Sequence, residues 1–424
     1  GLAASEDAPT EVLVEATDLR SGASLEVSAD ATRAWRRVAL RPESWDPASD
    51  PDHLERVRVV VTNRAPGERA VRLLFAKDHP FPGVTGMTPI LRDPAGVPTG
   101  IPVQISKNWH AKEGRTSLYQ GPWFHGFAML RAPPRSRTSF ELTIAYARWG
   151  GVPAASHAQL CLIGWGTNQL WDQAAIGSWG ESICYDPDVN LERSMIDDVR
   201  PLMVWQMNAR RVRWGWTNNV GGGDFLVYHD EEGRKQFLTR MRTAYGCQGP
   251  NLTRVVYAGV TADGRIAARI EVSTPRTDDL NRAYHRFRYD VLQPAPFRRL
   301  AFYQVGADRY NDHQFGRLAR GNRDGLVEEW TFEKGGNRYH RTGLPCEGPA
   351  PWLSLHQAAS RDDRGGAWAN RGLVIRSWKA RLAGKDAPIP HASAYGTEDG
   401  FPSMNVELSP PPGLDRLLPG DFVE

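Results

Sequence analysis

Arg338-Tyr339-His340-Arg341 puts an imidazole and a phenol between two guanidinium groups. An imidazole titrates near neutral pH and can take a proton, a phenol can return one, and a planar guanidinium grips a carboxylate. β-Elimination at a uronic acid needs those parts: a base for the C5 proton, a donor for the leaving oxygen and a cation at the carboxylate. Two further polar blocks carry related chemistry. Lys107, Asn108, Trp109 and His110 follow a short apolar run, and Trp123 and His125 precede the next. Between Ser156 and Asp188, Trp165, Trp171 and Trp179 are interspersed with Asn168, Gln169, Asp172, Glu181, Tyr185 and several glycines. Flat rings spaced by glycine and flanked by amides and acids suit a surface that stacks on sugar faces and bonds their hydroxyls.

The roles follow from the residue types. His340 or His110 is the candidate base, and Tyr339 or Tyr185 the candidate acid. Arg338 and Arg341 would hold the carboxylate. Lys107, Asn108, Trp109, Trp123, His125, Trp165, Asn168, Gln169, Trp171, Asp172, Trp179 and Glu181 would line the sugar site. Asp172 and Glu181 also form the carboxylate pair that a glycoside hydrolase would use. Each block has an architectural alternative. Trp and Gly fill the corners of large sandwiches, and Arg-Tyr-His-Arg can alternate on a solvated strand.

Positioning these blocks falls to strands. HLERVRVVVTN alternates into the turn RAPGER, and AVRLLFA returns, which predicts a hairpin from Leu54 to Phe75. Prolines at 80, 82, 89, 94, 98 and 102 then predict long loops or a linker, with a boundary near residue 85. TSFELTIAYARW reads as one long strand. Met195–Met207 reads as a short helix or a buried strand, and residues 225–305 as a meander with turns at Asp230–Gly233 and Ala262–Gly264. The expectation is a mainly β protein: a small N-terminal β module over 1–85, then a large antiparallel β-sandwich over 86–424. The C-terminal LLPGDFVE opens a strand and stops, which predicts a further C-terminal domain in the natural protein.

Composition narrows the partners. The 424 residues carry a net charge of +3 with the charges scattered, so no basic footprint for nucleic acid is present. No run approaches the ~18 apolar residues of a membrane span. Gly221–Gly223 lack the Lys-Ser/Thr of a phosphate loop, and no segment has calcium-loop spacing, so no metal or cofactor is expected. Cys161, Cys184, Cys247 and Cys346 lie far apart, without a C-x-x-C pair, and leave the disulfide state open. The chain begins at Gly1 without a charged, apolar leader, so any signal peptide is already removed.

GIPVQISKNWH, YQGPWFHGF and SHAQLCLIGWGTNQLWDQAAIGSWGESICYDPD, with the strand-rich order, resemble the exo-acting rhamnogalacturonan lyase and ulvan lyase-like proteins. The resemblance spans nearly the whole chain by general pattern and aligns no catalytic motif. It implies a small β-barrel, a central β-sandwich and a following α/α toroid. It also implies a polysaccharide substrate and a secreted, periplasmic or cell-surface location.

Overall fold

The structure is a computed structural model. It describes residues 11–30, 35–41, 54–77, 86–107, 124–147, 160–163, 172–176, 179–183, 195–196, 198–199, 202–208, 211–216, 221–248, 251–275, 283–308, 315–331, 338–357, 370–397 and 403–424. Among these residues every regular element is a strand, and the pairing is antiparallel except between Trp35–Ala39 and Arg69–Lys77. The mainly β, sandwich-like class read from the sequence is the class observed. No helix of the described residues is long and apolar enough to cross a membrane.

The N-terminal half packs a nine-stranded sheet on a five-stranded one. Strict alternation makes this possible. Strand Leu54–Asn63 turns Val57, Val59 and Val61 inward, and Arg69–Lys77 turns Val71, Leu73 and Phe75 inward, all at 3% exposure or less. Phe124–Ala132 adds Ala128 and Leu130, while Ser136–Ala147 adds Leu142 and Ile144.

The expected hairpin from Leu54 to Phe75 is not one. Strand 54–63 pairs with Val12–Asp18 on one side and with 136–147 on the other. Strand 69–77 pairs instead with Trp35–Ala39 and with 124–132. The connection is therefore an arch that passes from one sheet to the other. Asn63 sits inside it, 1% exposed, donating to the carbonyls of Gly67 (2.9 Å), Ala132 (3.0 Å) and Pro133 (2.8 Å). It also accepts from the Ala65 amide at 3.0 Å. A side chain that satisfies the arch this fully removes the need for a hairpin ladder.

The proline-rich stretch also departs from expectation. Gly86–Arg92 is an interior strand between 136–147 and Leu160–Ile163, with Pro89 buried opposite Ile144. Both sheets of this half take strands from either side of residue 85, so the pairing has no break where the module boundary was expected.

In the second half, Leu238–Gln248, Leu252–Thr261, Ile266–Pro275 and Tyr284–Val291 form a meander. It is shorter than the expected 225–305, because Val227–His229 and Tyr303–Asp308 pair in other sheets. Leu202–Asn208 is a strand rather than a helix. The meander belongs to a seven-stranded sheet that faces a five-stranded one, ordered 223–224, 303–308, 403–409, 391–397, 338–345. Phe287 of the first stacks on Tyr303 of the second, centroids 5.8 Å apart and planes at 15°. The inner face of the five-stranded sheet is apolar and closed: Val305, Ala307, Met404, Val406, Ala392 and Ala394 are all at 2% exposure or less. A four-stranded sheet completes the half. Its Arg371, 7% exposed, donates to the carbonyls of Gly222 (2.9 Å) and Gly306. The Gly221–Gly223 cluster has a packing reason as well. A Cβ on Gly221 or Gly223 would collide with the carbonyl of Gly306 or Gln304.

Candidate functional site

Asn108, Trp109, His110, Trp123, Trp165, Asn168, Gln169, Trp171 and Tyr185 lie outside the described residues. The strands on either side of them are described, and their ends share one end of the N-terminal sandwich. Lys107 ends Gln104–Lys107 opposite Phe124, which is opposite Lys77. Ile163 lies opposite Gly86 and Gln173, and Asp172 opposite Ile183. Lys77 Nζ and Glu55 pair at 3.0 Å, each continuing the inward row of its strand, and so join the two sheets at that end. Lys77 is fully buried and also donates to the Arg41 carbonyl. Trp179 lies opposite Ile176, at the far end of the Asp172–Ile183 ladder, so that ladder does not bring it to Asp172. His125 sits in strand 124–132 between Ala76 and Ser106, edge-on to Phe127 at 5.7 Å.

Strand Arg338–Pro345 lies at the edge of the five-stranded sheet in the second half. Tyr339 is the register partner of Tyr395, and His340 falls at a bulge before Arg341, which is opposite Ala394. Arg341 is exposed and its guanidinium lies over Trp330 at 5.4 Å, while Arg320 approaches the same ring at 5.9 Å. Cation–π contact accounts for this placement. Because Arg341 is paired with Ala394 on the inner face, the bulge separates it from the face that carries Tyr395.

Tyr395 belongs to a polar cluster that the motif reading missed. Alternation sends Gln304, Asn405, Glu407, Ser393 and Tyr395 to the face opposite the apolar one. Glu407 is 1% exposed. Its Oε1 accepts from Arg299 Nη2 and from Gln304 Nε2 (2.6 Å). The same two groups donate to the Tyr395 hydroxyl, each at 2.8 Å. Arg299 also lies over the Tyr395 ring at 5.3 Å, with about a third of its side chain open to solvent. Asp224, across the sheet from Gln304, pairs with Lys235 at 2.9 Å and accepts from the Met195 amide.

His229 is the cross-strand partner of Arg299. Its Nδ1 lies 3.2 Å from the Gly233 carbonyl. A carbonyl only accepts, so Nδ1 carries the hydrogen and Nε2 the lone pair. Burial, with Arg299 and Lys235 behind it, holds this imidazole below the ordinary histidine range; the Gly233 carbonyl and Glu407 pull the other way. The cluster thus combines a neutral imidazole, a phenol held by two donors and a guanidinium anchored on a buried acid. Cys346 offers no nucleophile, since burial pushes its thiol up to about 11.

Fold and site define an all-β sandwich protein with a buried acid–phenol–guanidinium cluster on one sheet face. No protein-family profile, curated protein or solved structure matches the chain.

Proposed function

We propose that this chain is carbohydrate-active, a polysaccharide lyase that cleaves uronic-acid-containing polysaccharide by β-elimination outside the cytoplasm. The observation that supports this best is the Tyr395 hydroxyl, which accepts from both Arg299 and Gln304 at 2.8 Å. Two donors on that oxygen, one of them cationic, stabilise the negative charge left when Tyr395 protonates a departing sugar oxygen. Buried Glu407 fixes both donors, so the charge stabilisation is preorganised. The aromatic and amide segments 108–123 and 164–171 would supply stacking platforms for the polymer.

A glycoside hydrolase is the second reading, and one register observation favours it. Asp172 lies two positions from Ala174, the partner of Glu181, so the two acids occupy diagonal positions of one ladder. Diagonal positions on one face of a ladder are within reach of each other's side chains, as a carboxylate pair acting on one bond requires.

Incubation with pectin, ulvan and alginate separates these readings. A lyase generates the ultraviolet absorbance of a new double bond together with new chain ends. A hydrolase generates reducing ends without that absorbance, and a binding domain gives neither signal. Tyr395→Phe should lower lyase turnover by about 10²–10⁴-fold. Reducing ends without absorbance, or no product at all, would remove the lyase reading.

A further inference from the structure

We infer that His229, through Nε2, is the base that removes the C5 proton of the uronate, with Arg299 at the substrate carboxylate and Tyr395 protonating the leaving oxygen. This rests on the lyase reading.

Three features carry it. The first is the tautomer: with Nδ1–H bonded to the Gly233 carbonyl, the Nε2 lone pair is the group left to accept a proton. The turn that provides this carbonyl is itself firmly built. Asp230, 2% exposed, accepts from the Glu232 and Arg234 amides, from Arg234 Nε (3.0 Å) and from Gln236 Nε2 (2.7 Å). The second is placement. His229 and Arg299 are directly opposed in an antiparallel pair, so their Cβ atoms share a face about 4.5–5.5 Å apart. Arg299 Nη2 in turn reaches Tyr395 Oη, so the guanidinium lies between imidazole and phenol. Elimination needs that order, because the carboxylate is attached to the carbon that loses its proton, and the neighbouring carbon loses its oxygen.

The third feature is the placement of the other histidines whose side chains are described. His285 Nδ1 meets the Tyr303 hydroxyl at 2.6 Å on the apolar side of the sheet, and its Nε2 is buried. His356 Nε2 is engaged by Glu329 at 2.8 Å. His125 packs on Phe127 in the N-terminal half. His391 shares a strand with Tyr395 but is four residues away, about 13 Å along it.

The step balances without a co-reactant. Nε2 takes the C5 proton, and the C–H electron pair becomes the C4–C5 double bond. The C4–O pair leaves with the oxygen, which takes the Tyr395 proton. The resulting imidazolium and phenolate are restored by proton exchange with water. Burial, with Arg299 and Lys235, disfavours the charged imidazole beforehand, and the Gly233 carbonyl and Glu407 offset the charge it gains.

The test is steady-state kinetics of His229→Ala and His229→Gln on whichever of pectin, ulvan and alginate the wild type cleaves. The expected result is a loss of about 10²–10⁴-fold in kcat with KM nearly unchanged, in variants that melt with the wild type. The acid limb of the kcat/KM profile should vanish. A variant within tenfold of the wild type that keeps that limb overturns the assignment and leaves the lyase reading standing. Nitrogen-15 NMR of the wild type, read without substrate, gives an independent answer. A His229 tautomer protonated at Nε2 overturns the assignment, and one protonated at Nδ1 supports it. A wild type that forms no unsaturated product from any of the three polymers overturns the lyase reading and the base with it.

Discussion

Lys77 and Glu407 are single residues that set the two halves of this molecule, and each is a charge taken out of water. Lys77 occupies the place where the row Val71, Leu73, Phe75 would next put an apolar side chain, and Glu55 does the same for Val57, Val59, Val61. Two buried charges are tolerated because they face each other; removing one leaves the other uncompensated. Lys77→Ala should therefore lose about 3–5 kcal/mol in urea unfolding, whereas Lys77→Met combined with Glu55→Leu should recover most of it. Equal losses in the single and double variants would show that the pair itself stabilises the fold and that the unpaired charge is not the source of the loss. Glu407 is different because it positions other side chains. Glu407→Gln keeps the shape of the cluster but removes the charge that holds Arg299. The expected outcome is a small change in melting temperature with kcat reduced at least tenfold, read as a kcat loss rather than a KM rise. An unchanged kcat would make Glu407 a structural residue only.

Among the elements, the arch 63–69 decides more than any strand it joins. Alternation in HLERVRVVVTN and AVRLLFA identified both strands, and both exist. Which partners they take depended on Asn63, whose amide closes the arch against Gly67, Ala132 and Pro133. Nothing local distinguishes an asparagine that caps an arch from one that opens a hairpin turn. Asn63→Ala should cost about 1–3 kcal/mol by leaving buried backbone groups unpaired, with m-value unchanged. A loss below half a kcal/mol would mean that water replaces the amide. The edge strand Arg338–Pro345 is a similar case. Its chemistry was legible as a packet of four residues, but the bulge at His340 places Tyr339 beside Tyr395 and sends Arg341 to Trp330.

For the whole molecule, the contact between the seven- and five-stranded sheets has a pH dependence built in. His285, enclosed with Phe225 and Tyr303, has its pKa lowered by burial to about 3. The unfolded chain protonates this group near 6.5, so below that pH protons favour unfolding. The sandwich keeps its full stability above pH 6.5 and loses it progressively as the pH falls towards 3. At pH 5 the loss from this group is on the order of 2 kcal/mol. His285→Phe should flatten the decline in urea midpoint between pH 7 and 5; an identical decline in the variant would assign it to other groups.

Sequence alone determined the class and the inventory: alternation at period two, turn glycines and the scarcity of helical periodicity specify strands wherever they occur. Only the tertiary structure decided that His229, Arg299, Gln304, Tyr395 and Glu407 meet. They come from five strands and are separated by up to 178 positions along the chain. No spacing rule links residues whose proximity is created by strand order. Burial was illegible for the same reason. Glu407 reads as a solvent-facing acid in MNVELS, and its 1% exposure comes from elements packed over it rather than from its own neighbours in sequence.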